Sequence, residues 1–158
     1  MVKTISILGS TGSIGVNALE VISNLKKSFK VKYLSTNKNV DLLIRQIKEY
    51  KPKSVAVVDE LAAKKIKSAL DEMGIELLTG KVGLLDLSQR HDIDLVLNGL
   101  VGASGMQPTI NAIRAGVNVA LANKESLVMA GNIINKELEN SEAKLFPVDS
   151  EHSAIWQW

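Results

Sequence analysis

The residue pair with the sharpest chemical meaning is Asp149 and Glu151. They follow an apolar run at 143–148, and in extended backbone two side chains at this spacing point the same way. Two adjacent carboxylates repel each other unless a cation lies between them. Hard oxygen ligands suit Mg²⁺ or Mn²⁺ rather than zinc. The same residues also fit an acid-rich helix start, with Asp149 or Ser150 as N-cap and Glu151 in the first turn. His152 is a further ligand candidate, although alternation points its side chain away from its alternate neighbours. A Ser/His/Asp triad built from Asp149, Ser150 and His152 is excluded, because neighbours this close cannot align nucleophile, base and orienter.

A second signature lies near the start. The apolar run 5–8 stops at Gly9, and Gly12 and Gly15 follow before an amphipathic helix pattern begins. A strand that passes through a glycine-rich turn into a helix presents backbone N–H groups and a helix dipole to an anion. The spacing is G-x-x-G-x-x-G, not the G-x-G-x-x-G of the common dinucleotide fingerprint. Alone it also fits a plain strand–turn–helix. About 20 residues on, where an NAD site places an acid against the ribose 2′-hydroxyl, the chain reads Ser35-Thr36-Asn37-Lys38-Asn39. No carboxylate stands there to repel a 2′-phosphate, and Lys38 offers a cation. This favours NADP, with an ordinary polar turn as the alternative. Lys124 sits between an apolar run and a helix start, where it can bind phosphate, polarise a substrate oxygen, or simply pair with Glu125. Gly99, Gly102 and Gly105 form another glycine-rich passage, suited to a close cofactor approach or to a tight packing bend.

These residues need a frame, and the hydrophobic pattern supplies one. Strands are predicted at 5–8, 30–35, 54–58, 75–78, 94–98, 117–121 and 143–148. Helices are predicted at 12–27, from Asn39 to Lys51, at 60–73, weakly at 80–89, from the 99–108 loop to about Ala115, and at 125–139. In the first helix Ile14, Ala18, Val21, Ile22 and Leu25 are expected on one inward face. Lys64, Lys65 and Lys67 read as a solvated helix face, and His91 as exposed. Alternating strands and helices with short connections predict an α/β fold, a Rossmann-type doubly wound, mainly parallel sheet with helices on both faces. Four polar motifs then fall at the carboxyl ends of strands, where such sheets bind ligands: 9–15, 36–39, 122–126 and 149–152.

Composition sets outer bounds. The 158 residues are 46% hydrophobic, 23% charged and 4% aromatic, with a net charge of +2. That suits one globular domain over 1–158 and argues against a nucleic-acid partner, which calls for a basic face or stacking aromatics. No cysteine is present, so disulfides, thiolate metal sites and a cysteine nucleophile are out. The opening Met1-Val2-Lys3 reaches a strand without a signal-like run, and no apolar stretch is long enough to span a bilayer. A cytoplasmic location without membrane contact is expected.

At Gly9-Ser10-Thr11-Gly12-Ser13-Ile14-Gly15, Asn98-Gly99-Leu100-Val101-Gly102, Leu121-Ala122-Asn123-Lys124-Glu125-Ser126-Leu127-Val128 and Pro147-Val148-Asp149-Ser150-Glu151-His152-Ser153-Ala154-Ile155, the chain resembles the 1-deoxy-D-xylulose 5-phosphate reductoisomerase family. The last two strings are highly specific to that family. The resemblance implies an NADPH-dependent oxidoreductase of the non-mevalonate isoprenoid pathway that rearranges and reduces its phosphorylated sugar to 2-C-methyl-D-erythritol 4-phosphate. It implies that Thr11, Gly12, Ser13 and Ile14 hold the cofactor pyrophosphate and ribose, and that Asn37, Lys38 and Asn39 hold the 2′-phosphate. Family members often carry glycine where this chain has Asn37. Asn123 and Glu125 are implied to touch cofactor. Lys124, Ser150 and Glu151 are implied to touch substrate, with Lys124 and Glu151 as catalytic groups. Asp149 and Glu151 are the implied ligands of Mg²⁺ or Mn²⁺. A homodimer is implied for the whole enzyme.

Members of the family continue well past the position of Trp158. A further metal carboxylate, the substrate-phosphate residues, a histidine and a closing loop lie in that continuation. The expectation is therefore an N-terminal cofactor-binding portion that binds NADPH weakly, does not turn over substrate alone, and exposes apolar surface near its C-terminus. Two other readings compete with it, of which the second fits the whole chain as it stands. Another NADP-linked dehydrogenase leaves Asp149 and Glu151 unexplained, and the semialdehyde type needs a cysteine. A non-catalytic NADPH-binding module fits the missing substrate site.

Overall fold

Seven short apolar strands, each returning through a helix, build one sheet. The computed structural model describes residues 1–122 and 124–148. The strands are β1 (Lys3–Leu8), β2 (Phe29–Thr36), β3 (Ser54–Val57), β4 (Glu76–Thr79), β5 (Leu95–Asn98), β6 (Asn118–Leu121) and β7 (Leu145–Pro147). The helices are α1 (Ser13–Asn24), α2 (Val40–Tyr50), α3 (Glu60–Glu72), α4 (Gly80–Ser88), α5 (Met106–Arg114) and α6 (Lys124–Glu139). The strand order is β4-β3-β2-β1-β5-β6-β7, and every pair is parallel. The order reverses between β1 and β5, which pair from Ile5↔Leu95 to Leu8↔Asn98. That junction is the switch point of a doubly wound Rossmann-like sheet, and it opens a crevice at the carboxyl ends of its strands.

Side-chain alternation divides the core between two faces. Ile5, Ile7, Val55 and Val57 pack with Leu19 and Ile22 of α1, Leu43 and Ile47 of α2, and Ile66 and Leu70 of α3. Leu8, Ala56, Val96 and Val119 pack with Leu84 and Leu87 of α4, Ile110 and Ile113 of α5, and Ile134 of α6. The three helices before β4 thus cover one face, and the three after it cover the other.

Local chemistry sets the helix ends. The Asn39 side chain accepts from Leu42 N–H at 3.3 Å, and the Asp59 side chain accepts from Ala62 N–H at 2.8 Å. Lys51, with φ 49°, turns α2 off just before Pro52. The lysines of α3 and His91 are exposed, as the pattern predicts.

Three predictions are corrected. The inward residues of α1 are Gly15, Leu19 and Ile22, while Ile14, Val21 and Leu25 are exposed. Gly15 dictates that rotation, because only a glycine there lets the helix sit against the turn. α5 begins two residues before Pro108, preceded by a 3₁₀ turn at Gly102–Gly105. Proline is tolerated there because the first-turn N–H groups have no intrahelical partner. α6 is not one straight helix: Ala130 leaves helical geometry (φ −134°, ψ 18°) beside Gly131.

The amino edge of the sheet is closed by charge. Arg90 binds Glu76 bidentately at 2.8 and 3.2 Å, and donates to Ser54 Oγ at 3.0 Å and to Asp86 at 3.2 Å. Its guanidinium lies 5.1 Å from the centre of the Tyr33 ring. The Tyr33 hydroxyl donates to Asp92 at 2.8 Å, and Lys32 pairs with the same carboxylate at 2.7 Å.

Candidate functional site

At the opposite edge, the strand ends of β1, β2, β3 and β5 and the starts of α4 and α5 enclose a cleft of about 780 Å³. Its floor is the glycine turn. Gly9 takes φ +78°, and a Cβ there would meet the Gly99 carbonyl at 3.3 Å, so the turns after β1 and β5 touch backbone to backbone. A Cβ on Gly15 would lie 2.3 Å from the Gly9 carbonyl oxygen, whereas one on Gly12 would meet that oxygen at an ordinary 3.4 Å. Gly9 and Gly15 are therefore required by the fold itself. Gly12 is not, and it lines the cleft. It is also the N-cap of α1 and supplies no side-chain acceptor. The first-turn N–H groups of that helix, those of Ser13 and Ile14 included, have no intrahelical partner.

The turn is held from below. Ser10 N–H donates to the Ser35 carbonyl at 2.8 Å, and Gly9 N–H donates to Ser35 Oγ at 3.0 Å. Buried Gln46 of α2 reaches up twice: its Nε2 donates to the Ser10 carbonyl at 2.7 Å, and its Oε1 accepts from Ser10 Oγ at 2.8 Å. The Thr11 and Thr36 hydroxyls share a hydrogen bond of 2.6 Å. The glycine turn and the β2 turn are thus one rigid unit. The β2 turn is tied in turn to β3, through Val58 N–H to the Thr36 carbonyl and Asp59 N–H to the Asn37 carbonyl. The Asp59 carboxylate, close in sequence to this wall, is engaged as the α3 cap.

On the β5 side, buried Asn98 donates from Nδ2 to the Gly105 carbonyl and to Thr109 Oγ1, both at 2.8 Å, and accepts from Leu100 N–H at 3.2 Å. This amide shapes the glycine-rich loop whose Leu100, Val101, Ala103 and Ser104 line the cleft.

Of the residues predicted from sequence, Thr11, Gly12, Asn37 and Asn39 line this cleft together. Ser13 and Ile14 form the first turn of α1 behind them. Lys38 is exposed between Asn37 and Asn39 but is not among the lining residues. Lys124 and Glu125 start α6 at the same edge, two strands from β1, also outside the lining. Asn123, Asp149, Ser150, Glu151 and His152 lie outside the described residues. Among the described residues no three His, Cys, Asp or Glu side chains cluster as a metal site. Sequence reasoning gave no role to Ser35, Gln46, Lys81 or Gln107. Only Gln46 carries a signal, as a polar residue on the apolar stripe between Leu43 and Ile47.

Among the described residues the walls combine apolar surface (Val58, Leu84, Leu85, Leu100) with hydroxyls, amides and backbone N–H groups, and carry no acidic side chain. An elongated ligand with a flat apolar part and anionic groups matches that chemistry.

The comparisons point the same way. Residues 5–131 match the family model for 1-deoxy-D-xylulose 5-phosphate reductoisomerase. The chain is 48% identical over 155 residues to the 1-deoxy-D-xylulose 5-phosphate reductoisomerase of Chloroherpeton thalassium, covering 98% of this chain and 40% of that protein. It is 45% identical over 157 residues to the Halothermothrix orenii enzyme, covering 99% and 41%. The chain thus spans about two fifths of the length of these relatives. Among solved structures, a DOX-P reductoisomerase in complex with magnesium superposes with a TM-score of 0.93 at 33% identity, covering 99% of this chain and 40% of that one. The Zymomonas mobilis reductoisomerase in complex with NADPH also gives 0.93, at 35% identity, covering 99% and 41%. This chain belongs to the 1-deoxy-D-xylulose 5-phosphate reductoisomerase family.

Proposed function

We propose that this chain is the NADPH-binding portion of an enzyme that converts 1-deoxy-D-xylulose 5-phosphate to 2-C-methyl-D-erythritol 4-phosphate. The observation that carries the reading is the joined pair of turns, Gly9–Gly12 and Thr36–Asn39, lining one cleft with no carboxylate among the described residues. A cradle at Gly12 that the fold does not itself require fits a pyrophosphate pressed against backbone N–H groups. Thr11, Gly12, Ser13 and Ile14 hold that pyrophosphate and its ribose. Asn37, Lys38 and Asn39 receive the 2′-phosphate, where an NAD site has an acid. Asn123 and Glu125 approach the cofactor from the β6 end. Lys124 and Ser150 bind the phosphorylated sugar. Asp149 and Glu151 hold Mg²⁺ or Mn²⁺, and Glu151 also touches substrate. When bound, the cofactor supplies a hydride and the cation supplies Lewis-acid activation of substrate oxygens. The full-length enzyme is a cytoplasmic homodimer, and the 158-residue chain alone binds cofactor without turnover.

Titration with NADPH and NADH, with and without Mn²⁺, followed by nicotinamide fluorescence, tests this. NADPH binds more tightly than NADH, and Gly12→Ala weakens NADPH at least about tenfold without lowering Tm, since a methyl at that cradle displaces the anion. A preference for NADH, or an unaltered Gly12→Ala titration, sinks the cofactor reading. Measurable reductoisomerase turnover by the 158-residue chain sinks the statement that it is a cofactor portion only.

A further inference from the structure

We propose that Lys81 is a specificity-determining residue, whose ammonium recognises the 2′-phosphate of the cofactor from the α4 wall of the cleft. The inference rests on the cofactor reading above and adds a residue that the family resemblance does not assign. Among the described residues Lys81 is the one charged side chain lining the cleft. Lys38, the cation expected from sequence, lies outside that lining. Lys81 is exposed and makes no ion pair or hydrogen bond among the described residues. Glu60 approaches the neighbouring Gly80, where a Cβ would lie 3.6 Å from Glu60 Oε1, and among the described residues it forms no ion pair with Lys81.

Topology fixes which end of a dinucleotide lies beside it. Gly9 and Gly12 follow β1, Asn37 and Asn39 follow β2, Val58 follows β3, and Lys81 follows β4. All lie on one side of the switch point, in the half that takes the adenosine in a doubly wound sheet. Leu84 and Leu85, one turn on from Lys81 along α4, join Val58 as an apolar wall. A base laid on that wall leaves the ribose phosphate at the rim, between the β2 turn and the first turn of α4. A lysine there is a compact cation on a flexible arm, able to meet a phosphate dianion as a point charge.

The test compares NADPH and NADH titrations of the 158-residue chain with those of Lys81→Gln and Lys81→Arg. Lys81→Gln raises the Kd for NADPH about tenfold. It leaves the Kd for NADH unchanged, leaves Tm unchanged, and flattens the salt dependence of NADPH binding. Lys81→Arg retains the preference. Equal losses for both cofactors, or no loss for either, overturn the role of Lys81 while leaving the cofactor reading intact. If the unsubstituted chain binds neither cofactor, the cofactor reading falls and this inference falls with it.

Discussion

The two edges of the sheet solve opposite problems with similar residue types. At the amino edge, Arg90, Glu76, Ser54, Tyr33, Asp92 and Lys32 spend their hydrogen-bonding capacity on one another. Arg90 and Ser54 hold the Glu76 carboxyl at about 2. Burial alone would raise Asp92, but Lys32 and the Tyr33 hydroxyl outweigh it, so that its pKa is lowered. Asp94 is lowered by the Thr4 N–H and hydroxyl. At the carboxyl edge the buried polar side chains bind backbone instead. Ser35, Gln46 and Asn98 fix the turns from behind, so that the front of each turn is left for a ligand. The first arrangement stabilises the fold, and the second positions a site. Changes at the amino edge should therefore lower stability and spare cofactor affinity, whereas changes behind the turns should lower both.

The largest effect is expected from Gly15→Ala. Its methyl group cannot coexist with the Gly9 carbonyl, so the turn or the helix must move. A loss of about 3 kcal/mol or more is expected, with NADPH binding abolished. A urea midpoint equal to that of the parent chain would show that the turn yields freely, and the rigid half of the comparison would fail. Gln46→Leu comes next. It leaves the Ser10 carbonyl buried without its donor, at a cost of about 2 kcal/mol. Because the same bond seats the glycine turn, NADPH affinity should fall as well; unchanged affinity would separate positioning from stability at this site.

Arg90→Met is the converse case. Because the Glu76 side chain is 49% exposed, water compensates much of the loss, and about 1–2 kcal/mol is expected with NADPH affinity unaltered. Weakened cofactor binding would break the separation of the two edges. The smallest effect is on pH dependence. The folded-state pKa of Glu76 lies below its ordinary 4.5, so its contribution is fully present above that value and is lost as pH falls from about 4.5 toward about 2. Denaturation midpoints across that window should fall less steeply in Glu76→Gln than in the parent chain, and parallel slopes would count against the pairing.

Much of this is legible in the amino-acid sequence. Strand positions, helix order and the parallel sheet follow from short β-branched runs alternating with helical periodicity. The N-caps Asn39 and Asp59 and the stop at Pro52 are local chemistry, written where they act. The inward face of α1 was not readable. Periodicity favours its bulky residues, but the close approach of Gly15 to Gly9, a contact made by absent atoms, decides the rotation. Lys81 was equally hidden, because nothing near it in sequence marks it. Only the return of α4 beneath β3 carries the residue after β4 to the wall facing Asn39. The exposed Val128, Met129, Ile133 and Phe146 agree with the apolar surface expected toward the C-terminus, and α6 carries most of it beside its break at Ala130.

The contact between Gly9 and Gly99 bears on how such a chain can change over time. A Cβ on Gly9 would press on the Gly99 carbonyl and the Leu100 side chain, and a Cβ on Gly99 would press on the Ile14 side chain and the Leu8 carbonyl, so each turn is hemmed in by the segment on the other side. Drift in one half of the sheet is answerable to the other at that single point. The loops of the amino edge are joined by side chains and also by backbone bonds, such as Glu76 N–H to the Lys53 carbonyl and Asp94 N–H to the Thr4 carbonyl. Lineages descended from this fold should record the contact between the two turns as constancy at both glycines.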